Sequence, residues 1–331
     1  MVSQWFETCP IEELQKLVHE ESNEAFNLVI AEHSVKKHVL DVPIAEGLQY
    51  GDIRETRIAA VNTLRVRQKS VYGTDDRVDV CKVSNKKVKE NAKSVACILG
   101  ETQLNERGDG MYMLSTQMFG DAYNLCENEP FRNQPCAKAV GTAFLVGTNI
   151  VITAGHCINP NEFKNKRFVF GFTMGEDGGV PSAIASCDIY WVDKVLEYQY
   201  NPKGADWAIV KLDRDVEGRQ PLTFRREGQI QDNQSVYVIG HPCGLPQKYA
   251  GNAIVRNNQA ATHFVANLDV YGGNSGSPVF NDSTNEVEGI LVRGDLDFVR
   301  REKCYVSLVW PTTGGQGEEC TRVTQFSSLI Y

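Results

Sequence analysis

Apolar and polar positions follow two different rhythms along this chain. Between residues 10 and 40, Ile11, Leu14, Leu17 and Val18 recur at three- and four-residue steps, which puts them on one face of a helix. Ala25, Phe26, Val29 and Ile30 continue the pattern in the same helix or a second one. Pro10 suits a first helical turn, where its missing N–H costs nothing. A further helix is predicted after Asp52, which forms a capping box with Glu55. Ile58, Val61 and Leu64 line one side of it, and Arg65, Arg67 and Lys69 lie at the C-terminal end that favours cations. From about residue 93 the texture changes. Short apolar runs at 95–99, 143–146, 150–153, 168–170, 207–212, 236–239, 277–280 and 289–292 alternate with Gly, Asn, Asp and Pro turns. Many short strands with frequent turns predict an all-β barrel or sandwich. The chain therefore reads as a helical extension (1–70), a linking arm (71–92) and a strand-rich region (93–331). The segment 312–319 carries three Gly in eight residues and reads as a mobile loop.

Length fits this division, because 331 residues exceed one ordinary domain and leave room for an extension beside the strand-rich region. A formal net charge of −8 argues against a general nucleic-acid binder, which needs a basic face to neutralise phosphates. No apolar run approaches a membrane span. The first residues, Met1 to Glu7, lack the basic and apolar segments of a secretory signal as written. The ten cysteines pull the other way, since an even count suggests disulfides and favours a secreted or periplasmic setting over an intracellular one with free thiols. There is no Cys-x-x-Cys pair or clustered His/Cys spacing, so no structural zinc site is expected.

Three framed residues carry the candidate chemistry. His156 stands in Val151-Ile152-Thr153-Ala154-Gly155-His156-Cys157, Asp206 opens Asp206-Trp207-Ala208-Ile209-Val210-Lys211-Leu212, and Ser275 lies in Gly272-Gly273-Asn274-Ser275-Gly276-Ser277-Pro278. A serine hydroxyl is a poor nucleophile at neutral pH. It needs a base to take its proton and a carboxylate to hold that base in the right tautomer. His156 is the candidate base, with an ordinary pKa near 6.5 that leaves a neutral form at pH 7 to 8. Asp206 is the candidate orienting carboxylate. Asp188 and Asp193 compete with it but fit a surface strand better. The N–H groups of Gly273 and Ser275 are the candidate oxyanion donors. The string is not Gly-x-Ser-x-Gly, which excludes the strand-to-helix elbow of α/β-hydrolases.

At these residues the chain resembles the trypsin-like serine endopeptidases, most closely the bacterial-type branch that includes the glutamyl endopeptidases. Gly-Asn-Ser-Gly-Ser-Pro around Ser275 is the signature of that branch. Val71-Tyr72-Gly73-Thr74-Asp75-Asp76-Arg77 is similar to the start of the mature chain in such enzymes. The resemblance covers roughly residues 71–331. It implies two six-stranded antiparallel β-barrels, at about 93–215 and 216–331, with a cleft between them, and an acyl-enzyme mechanism that needs no metal or organic cofactor. The strand pattern alone does not select two barrels.

Substrate preference is less sharply written. Asp269 lies six residues before Ser275, the offset at which trypsin-like enzymes place the carboxylate that pairs with Lys or Arg. Similar strings in acid-preferring relatives leave a structural role open. Where the glutamyl branch has a His after Gly-Ile, this chain has Leu291. Arg293, two residues on, is the candidate attractor of an acidic side chain. His241, on the Gly240–Gly244 loop, is a candidate cleft residue, whereas His263 reads as one face of a strand. Residues 1–70 admit three readings. They are a propeptide cut near residues 69–71, a fixed helical module that binds a regulator, or a packed extension. The expected partner is a protein or peptide substrate, and the expected function is a serine endopeptidase, possible as a zymogen. A catalytically inactive binding module on the same scaffold and an esterase are the competing readings.

Overall fold

In the computed structural model, the residues described are 70–180 and 183–330. The helices expected over 10–40 and 52–69 lie outside them. Twelve strands form two closed barrels. The first barrel is β1 (Val95–Gly100), β2 (Ala139–Leu145), β3 (Ile150–Thr153), β4 (Lys166–Phe170), β5 (Ile189–Tyr200) and β6 (Asp206–Leu212). The second is β7 (Ser235–Gly240), β8 (Lys248–Asn257), β9 (His263–Ala266), β10 (Pro278–Asn281), β11 (Val287–Arg293) and β12 (Glu318–Arg322). Around the first barrel the order is β1-β2-β3-β6-β5-β4, and around the second it is β7-β8-β9-β12-β11-β10. One connectivity is thus used twice, offset by six strands, and every barrel pairing is antiparallel. This is the two-barrel chymotrypsin-like fold, and closure leaves neither sheet a long unpaired edge.

Alternation along the strands explains how the barrels pack. On β7, Val236 and Val238 join the apolar filling of the second barrel with Val255, Phe264, Val279 and Leu291. Their neighbours Tyr237 and Ile239 point the other way, into a cluster shared with first-barrel residues such as Phe144, Ile152 and Trp207. β11 splits likewise, with Leu291 in the first set and Ile290 and Val292 in the second. Strand side chains with period two therefore fill one barrel and glue it to the other.

All eight apolar runs fall on strands; 150–153 coincides with its strand in extent, and the ends of the others differ by up to four residues. Three differences stand out. The segment 71–92 is more than an arm. Val71–Tyr72 pairs in parallel with Val309–Trp310, Arg77–Asp79 adds to β8, and α1 (Lys86–Ala92) is capped by Asn85 Oδ1, which accepts from the N–H groups of Lys87 and Val88 at 2.9 and 3.4 Å. The end of the 312–319 segment is strand, because β12 starts at the fully buried Glu318. The rest is tied down, with Arg256 Nη1 donating to Gly314 O at 2.7 Å and Nη2 to Thr313 O at 2.8 Å. Among the described cysteines one disulfide forms, Cys126–Cys304, while seven are free. The even count therefore overstated the cross-linking. Most of these thiols serve as small apolar side chains, and burial alone pushes the Cys97 thiol far up.

Candidate active site

Strand pairing brings His156 and Asp206 together. β3 and β6 are antiparallel neighbours, with Thr153 opposite Ala208, so the end of β3 lies beside the start of β6. His156 sits in the 3₁₀ turn Gly155–Cys157 just after β3, and Asp206 is the first residue of β6. Asp206 Oδ2 accepts from His156 Nδ1–H at 2.7 Å, and Oδ1 accepts from the His156 backbone N–H at 3.1 Å. The carboxylate is fully buried, which favours a paired and hydrogen-bonded charge. Asp206 is also held by the other barrel, since its N–H donates to Thr321 Oγ1 on β12 at 3.2 Å. With Nδ1 engaged, the imidazole has Nε2 left for a substrate-side proton. Burial pulls the imidazole pKa down, but the adjoining Cys157 sulfur and the Asp206 carboxylate outweigh it and set the value at about 9. The neutral form thus grows at more alkaline pH than the ordinary value suggests.

Ser275 comes from the second barrel, on the turn between β9 and β10, and is buried. Its carbonyl accepts from Thr142 N–H of β2 at 2.8 Å and from the Cys157 thiol at 3.6 Å. The serine thus lies against the residue that follows His156. Two glycines make this approach possible. Gly273 and Gly276 have φ of +87° and +88°, and a Cβ on Gly276 would sit 2.1 Å from Thr142 O. Within the loop, Gly272 N–H donates to the Asp297 carboxylate at 3.0 Å, Asn274 N–H to Tyr271 O at 3.1 Å and Gly276 N–H to Leu291 O at 2.7 Å.

The three residues considered for substrate preference have internal bonding. Asp269 is 3% exposed, and its carboxylate accepts from the N–H groups of Tyr72 at 2.6 Å and Asp76 at 2.7 Å. Burial raises its pKa to about 6 against the pull of those two bonds. His241 is 1% exposed and stacks on Phe172. Its Nδ1–H donates to Leu245 O at 3.0 Å, and burial lowers its pKa to about 4. Arg293 is also 1% exposed, with its guanidinium on Glu319, Asn201 O and Gly204 O. Asp188 and Asp193 pair with Arg219 and Lys211 on the first barrel.

Several positioning groups escaped the sequence reading. Thr142 Oγ1 donates to Gly273 O at 2.8 Å and accepts from His241 N–H at 3.1 Å, linking the serine loop to the His241 loop. Asp297 and Thr321 anchor Gly272 and Asp206. Only Cys157 stood within a recognisable frame, and nothing local marked the others. Among the described residues, no group of three or more His, Cys, Asp or Glu is placed to hold a metal ion.

Residues 141–290 match the family model of the trypsin-like peptidase domain, a span that contains His156, Asp206 and Ser275. Among solved structures, the chain is similar to the VesB protease of Vibrio cholerae, with 14% identity and a TM-score of 0.47 over 78% of this chain and 67% of that one. It is also similar to a Glu endopeptidase solved in complex with MPD, with 16% identity and a TM-score of 0.45 over 78% of this chain and 97% of that one. Residues 141–290 thus carry the likeness to the trypsin-like peptidase domain, and they lie within a chymotrypsin-like fold of two closed barrels.

Proposed function

We propose that the chain is an endopeptidase that cleaves peptide bonds through an acyl-enzyme on Ser275. His156 Nε2 takes the Ser275 hydroxyl proton as the oxygen attacks the scissile carbonyl, then returns it to the leaving amine. Asp206 fixes the Nδ1–H tautomer and stabilises the imidazolium formed in between. The N–H groups of Gly273 and Ser275 are assigned to the oxyanion, and losing one such donor costs about 10²–10³ in turnover. The observation that carries this reading is the 2.7 Å bond from His156 Nδ1 to a fully buried Asp206 carboxylate. A buried structural histidine does not require that partner.

The arm at 70–79 supports a zymogen. Ser70 N–H donates to buried Glu318 Oε1 at 3.1 Å, and Ser70 O accepts from Val270 N–H at 3.1 Å. A cut before Ser70 would turn that N–H into an ammonium against a carboxylate, strengthening a bond that reaches the 269–272 segment. The propeptide or regulatory role of 1–70 belongs to this reading.

Profiling cleavage sites of the purified chain on a peptide library, beside Ser275→Ala, tests the function. Defined cleavage that vanishes in the variant is expected. A folded, processed protein that cuts no peptide, or cuts equally well as Ser275→Ala, would overturn it.

A further inference from the structure

We infer that Arg293 is the positioning residue of this site, a clamp by which the second barrel fixes the Asp206 carboxylate of the first. The inference rests on the assignment of Asp206 and His156 above. Arg293 ends β11 and is among the largest side chains that are fully buried. Its guanidinium reaches across the barrel boundary. Nη1 donates to Asn201 O at 3.1 Å and Nη2 to Gly204 O at 2.6 Å. Those carbonyls belong to the turn that joins β5 to β6, a turn closed by Gly204 N–H on Asn201 O at 3.0 Å and Asn201 N–H on Ala205 O at 3.0 Å. Asp206 is the next residue. Arg293 Nη1 also lies 3.9 Å from Asp206 Oδ2, the oxygen that accepts from His156 Nδ1–H.

A planar fork explains why arginine is needed. Two separate carbonyls take hydrogen bonds from fixed N–H directions while the same cation lies 3.9 Å from the Asp206 carboxylate, an arrangement that a lysine ammonium on a flexible stem does not reproduce. The third arm, Nε, donates to Glu319 Oε2 at 2.8 Å on the neighbouring β12. Glu319 balances the buried cation and orients the fork, and its Oε2 is also 3.9 Å from His263 Nε2. The charged and titratable groups around the clamp are therefore Glu319 and His263 from the second barrel, and Asp206, His156 and Cys157 from the first. Removing the guanidinium frees the 201–204 turn and leaves Asp206 without its nearby cation. Both changes act on the His156–Asp206 bond rather than on bound substrate.

Arg293→Lys and Arg293→Met in the full chain, compared with wild type, test the clamp by two readouts. The first is kcat against KM on a cleaved peptide. The second is the downfield proton resonance of His156 Nδ1–H, assigned by its loss in His156→Gln. For Arg293→Met we expect kcat to fall about 10²-fold, the scale of an ångström-sized misplacement, while KM stays within about two-fold. The resonance should shift or broaden. Arg293→Lys should recover part of both, and it carries the test if the Met variant does not fold. An unchanged resonance with unchanged kcat would overturn the clamp. A rise in KM confined to substrates with acidic side chains, at constant kcat, would overturn it in favour of direct substrate contact. If wild type shows no Ser275-dependent cleavage, the proposed function fails, and the resonance still decides the clamp.

Discussion

Adding one methyl group at Gly155 should damage the site from a position that touches no substrate. A Cβ there would lie 2.4 Å from Gln199 O, 3.0 Å from Asp206 Oδ1 and 3.1 Å from Trp207 O. Gln199 and Trp207 are register partners on β5 and β6, so both carbonyls are fixed in a ladder and do not swing aside as a side chain would. Carbon–oxygen contacts settle at about 3.3 Å or more, so something must move by about 0.9 Å. The element with most freedom is the short turn Gly155–Cys157. If that displacement fell on the 2.7 Å His156–Asp206 bond, it would reach about 3.6 Å and cease to be a hydrogen bond. Overpacking of this kind costs about 1–3 kcal/mol of stability. A misplaced base costs about 10²-fold in rate. The assay is the rate of fluorophosphonate labelling at fixed pH, with thermal unfolding measured in parallel. Gly100→Ala serves as control, because its Cβ would meet only Thr102 Oγ1, at 3.9 Å. Gly155→Ala that labels and melts like wild type would refute the reasoning.

Three further outcomes follow from the bonding described. Asp206→Asn should lower kcat by about 10⁴ by removing the acceptor that fixes the imidazole tautomer, which steady-state kinetics on a cleaved peptide would check. The His156 pKa, raised from 6.5 to about 9, implies that kcat/KM climbs with pH through an inflection above 6.5. It also implies a stability contribution fully present below pH 6.5 and lost as pH rises through about 9. Kinetic profiles and the pH dependence of unfolding, each compared with His156→Gln, measure the two effects, and an inflection at or below 6.5 would contradict them. Lys248→Met should destabilise the fold by about 1–3 kcal/mol in denaturant unfolding. It would take from the buried Asp79 carboxylate the ammonium 2.9 Å away, leaving it Lys82 at 3.5 Å and the Gln134 amide at 3.2 Å.

Features written in contiguous residues were legible in the sequence. The frames around His156, Asp206 and Ser275 could be read because each is a strand end or a tight turn, with glycines beside His156 and Ser275. The eight apolar runs could be read because period-two burial is local. Features that depend on partners far along the chain were not legible. Asp269 looked like a pocket carboxylate by its offset, yet its bonds go to Tyr72 and Asp76, nearly two hundred residues away. Arg293 looked like a receptor for an acidic group, yet its partners Asn201, Gly204 and Glu319 come from a turn and a strand that only the folded chain brings near. Polar content hid the second half of the twelve-residue β5, which is largely exposed, while its first residues already read as a surface strand around Asp193. Cysteine number alone does not reveal which thiols meet, and Cys126 finds Cys304 across 178 residues.

The most direct measurement is to locate the adduct formed when the purified chain is treated with a fluorophosphonate, by peptide mass spectrometry. The account predicts a single modified residue, Ser275, in wild type and none in a folded His156→Ala variant. Modification elsewhere, or equal modification of Ser275 without His156, would contradict the claim that this imidazole and its buried carboxylate activate this hydroxyl.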